Sequence, residues 1–309
     1  MKVFITGASG SIGREVAREF EGCGWTVTRF SRMADSLHEP MASLQEQLFD
    51  RTPEFLIHLA WSTFPATSEI RPASEWLSDL PILVNICQTI ARQPVETRSH
   101  LVFLSSGSIY GENSGLPFME ESQPAPKGWY ARGKVAAECL IRDFCKAHGV
   151  PATIIRASSV YGFPQSNNRM QGIIPKTIES AIAGMPCMIW GDGTARKDFL
   201  HVHDLIAFLR AVIALRLTGT FNACTGVTTS INEVIYLVEE IIGCELSRIH
   251  KGVAYWDVQD TFLNNSKMVN LTGWSPTVLL QNGICELITR AEVDPKLRQL
   301  KDYGGCNNN

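Results

Sequence analysis

Tyr130 and Lys134 stand four residues apart near the start of a predicted helix, a spacing that puts both side chains on one helical face. A free phenol with a pKa near ~10 is a poor base at neutral pH. A neighbouring ammonium favours the phenolate and makes Tyr130 usable as a general base and, in the reverse sense, a general acid. A second polar group belongs with this pair. Ser105-Ser106-Gly107-Ser108-Ile109-Tyr110-Gly111 follows directly on the apolar run Leu101 to Leu104. Ser106 and Ser108 therefore fall at the carboxyl edge of a sheet, where open α/β proteins place their ligands.

Gly7-Ala8-Ser9-Gly10-Ser11-Ile12-Gly13 follows the first apolar run and opens the first predicted helix, which is the setting of a dinucleotide-binding turn. The first glycine permits the tight turn, the second lets backbone N–H groups approach a pyrophosphate, and the third brings helix close to strand. The helix N-terminus then faces the anion. Gly7, Ser9, Gly10, Ser11, Ile12 and Gly13 are thus candidate cofactor residues. At the end of the second strand an acidic side chain would accept from an adenosine ribose, whereas arginine can pair with a 2′-phosphate. The chain reads Arg29-Phe30-Ser31-Arg32 there. With two guanidiniums and no carboxylate, Ser31 and Arg32 favour NADP(H) over NAD(H). Asp35 lies near enough that a small shift in register would restore an acid, so NAD stays open.

These groups must be carried by strands and helices. Apolar runs of strand length recur at Val3 to Thr6, Phe55 to Leu59, Leu101 to Leu104 and Ala152 to Ile155, continuous rather than alternating, as for strands covered on both faces. Between them, Val16, Ala17 and Phe20 keep a helical spacing after Gly13. Val135, Ala136, Leu140, Ile141 and Phe144 line a helix from about 129 to 148 that Gly149 closes. The alternation predicts an α/β fold, a Rossmann-type doubly wound parallel sheet, over roughly the first 160 residues. Beyond Arg156 the texture becomes turn-rich, with a helix near Lys176 to Ala183, then Met188 to Trp190 and the turn Gly191-Asp192-Gly193, and a capping box Ser230-Ile231-Asn232-Glu233 opening another helix. This predicts a smaller, discontinuous α/β lobe for substrate. The expected division is 1–165 for the dinucleotide-binding domain, also receiving segments near 198–225, such as His201-Val202-His203-Asp204 and Phe221-Asn222-Ala223. Residues 166–197 and 226–300 form the substrate lobe, and 301–309 a polar tail.

The 309 residues carry 28 Lys+Arg against 31 Asp+Glu, a net charge of −3, with no stretch concentrating one sign. No phosphate-backbone footprint is visible, so nucleic acid is not the expected partner. No apolar run approaches the ~18 residues of a membrane span, and glycine interrupts the N-terminal run before it reaches signal-peptide length. A cytoplasmic protein without a membrane partner is expected. The nine cysteines are odd in number and scattered, without a C-x-x-C pair, which suits reduced thiols. His201 and His203 would share a face at strand spacing, but no third ligand is evident and no metal is expected. Trp61, Trp190 and Trp256 could stack on a base or sugar, with core packing the default.

Taken together, T-G-A-S-G-S-I-G at 6–13, I-H-L-A at 57–60, F-L-S-S-G-S-I-Y-G at 103–111, Y-A-R-G-K at 130–134, V-Y-G at 160–162, G-D-G at 191–193, D-F-L-H-V-H-D at 198–204 and G-W-S-P at 273–276 resemble the extended short-chain dehydrogenase/reductase family, in particular its nucleotide-sugar epimerases and reductases. The resemblance runs almost end to end. It implies that Ser106 bonds the reacting sugar oxygen and that Tyr130 exchanges its proton. Lys134 would hold the nicotinamide ribose and, with the positive charge of an oxidised nicotinamide, lower the tyrosine pKa. Leu59, Ala60 and Asn85 match positions lining the cofactor. A homodimer through the helix bearing Tyr130 and the one before it is also implied.

Departures from the family pattern narrow the chemistry. Members that form 4-keto-6-deoxy sugars carry an Asp-Glu pair where this chain has Gly107 and Ser108, and neither residue can be a general acid near neutral pH, which argues against dehydration. Two redox modes remain: epimerisation by transient oxidation to a keto sugar, which the second lobe favours, or one-way reduction of a 4-keto sugar by NADPH, which Ser31 and Arg32 favour. A dinucleotide-sensing binding protein is the alternative outside enzymes, and it would not need Ser106, Tyr130 and Lys134 together. On the substrate side, Lys197 stands where the family has arginine, Ser159 where it has asparagine, and Ala254 to Asp257 where it has R-x-x-D. Ser106, Ser108, Ser159, Lys197 and Asp257 are the candidate substrate residues, with Arg169, Lys176 or Arg196 as replacement cations.

Overall fold

The computed structural model describes residues 1–31, 44–48, 52–112, 115–163 and 172–293. Strands β1 (Lys2–Thr6), β2 (Thr26–Phe30), β3 (Phe55–His58), β4 (His100–Ser106) and β5 (Ala152–Ala157) are joined by helices α1 (Ser11–Gly22), α2 (Pro65–Ile70), α3 (Leu80–Ala91) and α4 (Gly128–His148). There follow β6 (Ser159–Tyr161), α5 (Ile173–Ala183), β7 (Cys187–Trp190), β8 (Arg196–Lys197), β9 (Phe199–His201), α6 (Val202–Ala214) and β10 (Gly219–Ala223). The chain continues through β11 (Thr229–Ser230), α7 (Ile231–Ile242), β12 (Arg248–Lys251), β13 (Asp260–Thr261), α8 (Ser266–Thr272) and α9 (Leu280–Val293).

Six strands form one sheet in the order β10-β5-β4-β3-β1-β2, every pairing parallel. This is the doubly wound α/β architecture that the alternation predicts. The apolar runs are continuous because each strand feeds two cores in turn. Val3, Ile5, Phe55, Ile57 and Val102 face one core with Val16, Ala17 and Phe20 of α1 and Leu205, Phe208 and Leu209 of α6. Phe4, Leu56, Leu101 and Phe103 face the other, with Leu83, Ile86 and Ile90 of α3 and Ala137 and Ile141 of α4. Gly149 ends α4 in a left-handed conformation at φ 64°, as its position predicts.

A separate core joins Tyr161, Ile174, Ile178, Cys187 and Ile189 to Val234, Ile235 and Val238 of α7 and Ile284 and Ile288 of α9. The capping box is present, with the Glu233 N–H donating to Ser230 Oγ at 3.1 Å and the Ser230 N–H to Glu233 Oε2 at 2.6 Å. Phe221 to Ala223 do enter the large sheet beside β5. His201–Asp204 do not, contrary to expectation: β9 pairs with β6, and α6 begins at Val202 because the His201 side chain accepts from the His203 N–H and caps the helix. Among the described residues no helix is long and apolar enough to cross a membrane.

One buried polar network locks α4 to the sheet. Arg156 of β5 makes a forked contact with Glu138 of α4, Nε to Oε1 at 3.1 Å and Nη2 to Oε2 at 2.8 Å, both side chains at most 2 % exposed. Ser105 of β4 donates to Glu138 Oε1 at 2.6 Å, and Arg156 Nη1 donates to Tyr110 Oη at 2.9 Å and to the Glu120 carbonyl at 2.7 Å. Tyr110 in turn donates to Asn222 Oδ1 of β10 at 2.7 Å. Three strands thereby fix the axial register of α4, one turn beyond Lys134. Removing one partner leaves the other ion buried without its counter-charge, so Glu138→Met should lower the free energy of unfolding by about 3–5 kcal/mol. The double variant Glu138→Met/Arg156→Met should lose less than either single variant, a comparison that urea denaturation reads directly.

Candidate active site

Ser106, Tyr130 and Lys134 are brought together where β4 ends against the first turns of α4. Pairing of β4 with β5 runs on to Ser105↔Arg156 and Ser106↔Ala157, so Ser106 is the last strand residue rather than the first beyond it. Its hydroxyl stands close enough to the phenol of Tyr130 to favour the phenolate. The same oxygen lies 3.0 Å from Ser108 Oγ and accepts from the Ser108 N–H at 3.2 Å, which closes the tight turn Gly107–Tyr110. Lys134 is 4 % exposed. Its Nζ donates to the Leu104 carbonyl at 2.9 Å and lies 3.8 Å above the ring centroid of Trp61, 4.8 Å from that of Phe103 and 5.8 Å from that of Tyr130.

The electrostatics depart from the expectation of a lowered tyrosine. Burial pushes the Tyr130 phenol up to about 12; the Ser106 hydroxyl pulls it down, and the Glu75 and Asp79 carboxylates push it up further. Burial also brings Lys134 down to about 7, against the opposing pull of Asp79, Glu138 and Glu75. In the protein alone burial thus works against the charge of both groups. His58 is likewise held neutral, at about 3, by burial and then by Lys134. It shares a 2.7 Å hydrogen bond with Thr6 Oγ1 through Nδ1, and its buried Nε2 has no hydrogen-bond partner.

The glycine turn is built for close approach. Gly7 has φ 71°, and a Cβ there would lie 2.7 Å from the Ala60 amide nitrogen, so the turn rests against Leu59 and Ala60 at the end of β3. A Cβ on Gly13 would lie 2.2 Å from the Gly7 carbonyl oxygen. Gly10 caps α1 without any side-chain hydrogen bond, Ser9 and Gly10 are exposed, and Ser11 and Ile12 are half-buried. The first N–H groups of α1 thus remain open to an anion. This cradle, with the small residues it requires, fits a dinucleotide pyrophosphate. Asn85 lies on α3, where it lines an open groove with Trp76, Leu80, Pro81, Val84 and Gln88.

At the end of β2 Ser31 is exposed, and the Ala8 N–H donates to the Phe30 carbonyl at 3.3 Å, which holds the glycine turn beside it. Arg29 is engaged elsewhere: its Nε and Nη2 grip both oxygens of Glu21 at 2.8 and 2.7 Å. It is therefore withdrawn from the two guanidiniums expected near a 2′-phosphate. Arg32, Asp35 and Arg169 lie outside the described residues.

In the substrate region Lys197 and Asp257 meet each other, Nζ to Oδ1 at 2.9 Å, and Nζ also donates to the Val258 carbonyl. Arg196 donates to the Thr228 carbonyl at 2.7 Å and pairs with Glu233 at 3.2 Å. Lys176 is exposed, and Ser159 is half-buried on β6. Trp256 packs its Cβ toward Gly128 at the start of α4 and meets Trp190 edge-on at 6.3 Å.

The histidine pair gains a third neighbour that the strand reading lacked, because α9 brings Glu286 Oε2 to 3.8 Å from His201 Nε2, and the three side chains offer ligand atoms within 4.8 Å of one another. Their arrangement is that of a donor facing a carboxylate. His201 Nδ1 accepts from the His203 N–H at 3.3 Å, which leaves the proton of the neutral ring on Nε2, and burial holds the ring at about 4. Sequence patterning missed Trp61's place over Lys134 and the acids Glu75 and Asp79. The only available signal was two carboxylates four apart in a stretch with no other helical pattern.

Comparison with known proteins agrees with this geometry. A family model described as NAD dependent epimerase/dehydratase family matches residues 3–224. The chain is 26% identical over 307 residues to a UDP-glucose 4-epimerase of Mycolicibacterium smegmatis, covering 93% of this chain and 97% of that one. It is 25% identical over 297 residues to a GDP-6-deoxy-D-mannose reductase of Pseudomonas aeruginosa, covering 93% and 96%. The crystal structure of a UDP-glucose 4-epimerase of Thermus thermophilus in complex with NAD superposes with a TM-score of 0.84 at 23% identity, covering 94% of this chain and 98% of that one. With the glycine cradle at α1 and the serine, tyrosine and lysine at the edge of β4, the chain belongs to the NAD dependent epimerase/dehydratase family.

Proposed function

We propose that the protein is an NAD(P)-dependent nucleotide-sugar epimerase that works by transient oxidation of a carbinol to a keto sugar. The observation that carries this reading is the meeting of Ser106, at the carboxyl edge of the sheet, with Tyr130 and Lys134 on one face of α4, the Lys134 Nζ 5.8 Å from the Tyr130 ring centroid. A nicotinamide dinucleotide, when bound, supplies the hydride acceptor and donor. Gly7, Ser9, Gly10, Ser11, Ile12 and Gly13 would hold its pyrophosphate, Leu59, Ala60 and Asn85 would line it, and Lys134 would hold its ribose. Ser106 orients the reacting oxygen, and Tyr130 removes its proton and later returns one. In the protein alone the phenol keeps its proton well above neutral pH, which suits the proton-returning step; the proton-removing step calls on the positive charge that an oxidised nicotinamide would bring beside it.

Elimination of water is disfavoured by packing as well as by composition. A Cβ on Gly107 would lie 2.9 and 3.1 Å from the two methyl carbons of Leu263, which fill the place where a carboxylate would stand. One-way reduction of a 4-keto sugar by NADPH is the second reading. It is favoured by Ser31, a hydroxyl with no carboxylate beside it at the described end of β2, and by Arg32. On either reading the substrate lobe is 166–197 and 226–300, of which 166–171 and 294–300 lie outside the described residues, and Ser108, Ser159, Lys197 and Asp257 address the nucleotide sugar. The chain pairs as a homodimer through α3 and α4. Incubation with UDP-, GDP-, CDP- and dTDP-sugars separates the two readings: an epimerase interconverts sugars without net cofactor oxidation, whereas a reductase consumes NADPH.

Two substitutions test the site. Tyr130→Phe should cut turnover by about 10²–10⁴-fold while leaving NADH and NADPH affinity unchanged, and undiminished turnover would remove Tyr130 from the chemistry. Ser31→Asp should weaken NADPH but not NADH in fluorescence titrations, since a carboxylate repels a 2′-phosphate and accepts from ribose hydroxyls. Equal losses for both cofactors would contradict NADP(H) as the partner of Ser31 and Arg32.

A further inference from the structure

Two buried acids that the proposed chemistry leaves unused stand behind the Tyr130–Lys134 pair. Between α2 and α3, residues Glu75–Asp79 make one turn of the wide i→i+5 kind, a local distortion that recurs at functional sites. Glu75 is fully buried and Asp79 is 2 % exposed. Glu75 Oε1 accepts from Ser68 Oγ at 2.5 Å and from Thr63 Oγ1, while its Oε2 is buried without a hydrogen-bond partner. Asp79 accepts from the Ser62 N–H at 3.0 Å and from Ser62 Oγ at 2.6 Å. Together they bind the strap from Ser62 to Ser68, at whose start Trp61 covers the Lys134 ammonium.

Glu75 also touches the catalytic helix. A Cβ on Gly133, which lies between Tyr130 and Lys134, would come within 3.0 and 3.1 Å of Glu75 Cβ and Cγ and 3.4 Å of the Trp61 ring. The glycine therefore makes room for the acid and the indole on the face that carries the pair. A buried carboxylate is costly to maintain where a glutamine would accept the same two hydrogen bonds, so its charge calls for a reason beyond packing.

We propose that Glu75 is a positioning residue for Tyr130 and Lys134, latching the strap of residues 61–68 to the glycine face of α4 and presenting one buried negative charge to phenol and ammonium together. This deepens the functional reading above and rests on it. The groups facing the phenol are Ser106 from β4 and Glu75 and Asp79 from the wide turn. Those facing the ammonium are the same two acids, Glu138 from its own helix and neutral His58 from β3. Both carboxylates favour the protonated form of each member of the pair, so removing the charge of Glu75 makes Tyr130 easier to ionise.

The test uses the full chain saturated with NAD⁺. Tyrosinate absorbance is followed against pH in the wild type and in Glu75→Gln, each corrected by the same background carrying Tyr130→Phe, so that only the phenol at 130 is read. The expected result is a midpoint about one pH unit lower in Glu75→Gln, a tenfold larger ionisation constant, with the melting temperature and NADH affinity retained. Glu75→Asp, which keeps the charge, should return the midpoint toward the wild type. An unmoved midpoint, equal shifts in the Gln and Asp variants, or a Glu75→Gln protein that fails to fold would each overturn the proposal, the last because glutamine preserves both hydrogen bonds. Failure to bind NAD⁺, or full turnover in Tyr130→Phe, would instead strike the functional reading on which it rests.

Discussion

The site depends on keeping a lysine ammonium out of water. Taking an ion that far from solvent costs several kcal/mol unless its surroundings answer the charge, and a group that is not answered loses its proton instead. Lys134 is answered only in part. One carbonyl, at Leu104, accepts a hydrogen bond, the Trp61 ring offers its face, and three acids stand farther off, yet burial still brings the ammonium down to about 7. Burial thus works against its charge and the acids work for it. A neighbouring phenol held at about 12 feels the same two acids, Glu75 and Asp79.

That balance requires the helix to stay in place to within a fraction of a turn. The forked Arg156–Glu138 contact supplies the restraint from one side, and the strap with Trp61 supplies it from the other. The sheet contributes its geometry. Because β1, β3 and β4 are parallel neighbours, the glycine turn after β1, Leu59 and Ala60 after β3, and Ser106 at the end of β4 all emerge at one edge. Dinucleotide cradle and proton-handling groups are thus juxtaposed by topology, as in other open α/β sheets.

Much of this was legible in the sequence, for reasons that are local. Continuous apolar runs announce strands covered on both faces, glycines at 7, 10 and 13 announce a close turn, and Tyr130 with Lys134 needs only helical spacing to share a face. What stayed hidden depends on contacts between distant parts of the chain. Arg29 looked available for a phosphate because nothing in its strand reveals that Glu21, on the preceding helix, grips it. His203 looked like a strand residue because the cap formed by His201 is a tertiary choice, and Glu286 is supplied by the last helix. Glu75 and Asp79 sit in a segment with no motif, and the wide turn that aligns them breaks the ordinary helical period.

The same pairing of distant charges bears on what the smaller lobe can recognise. A diphosphate is usually met by cations free to fork onto its oxygens. Lys197 already donates to Asp257 and a carbonyl, and Arg196 already serves Thr228 and Glu233. Both cations are already paired within the protein, Lys197 half-buried and Arg196 at the surface, so a diphosphate reaching Lys197 must compete with Asp257 for it. Such competition lowers affinity for a charged linker, so on the proposed reading discrimination would fall more to the sugar, near Ser106 and Tyr130. On that reading specificity would reside nearer the chemistry than the nucleotide, where Leu263, packed on Gly107, presents apolar surface in place of an acid.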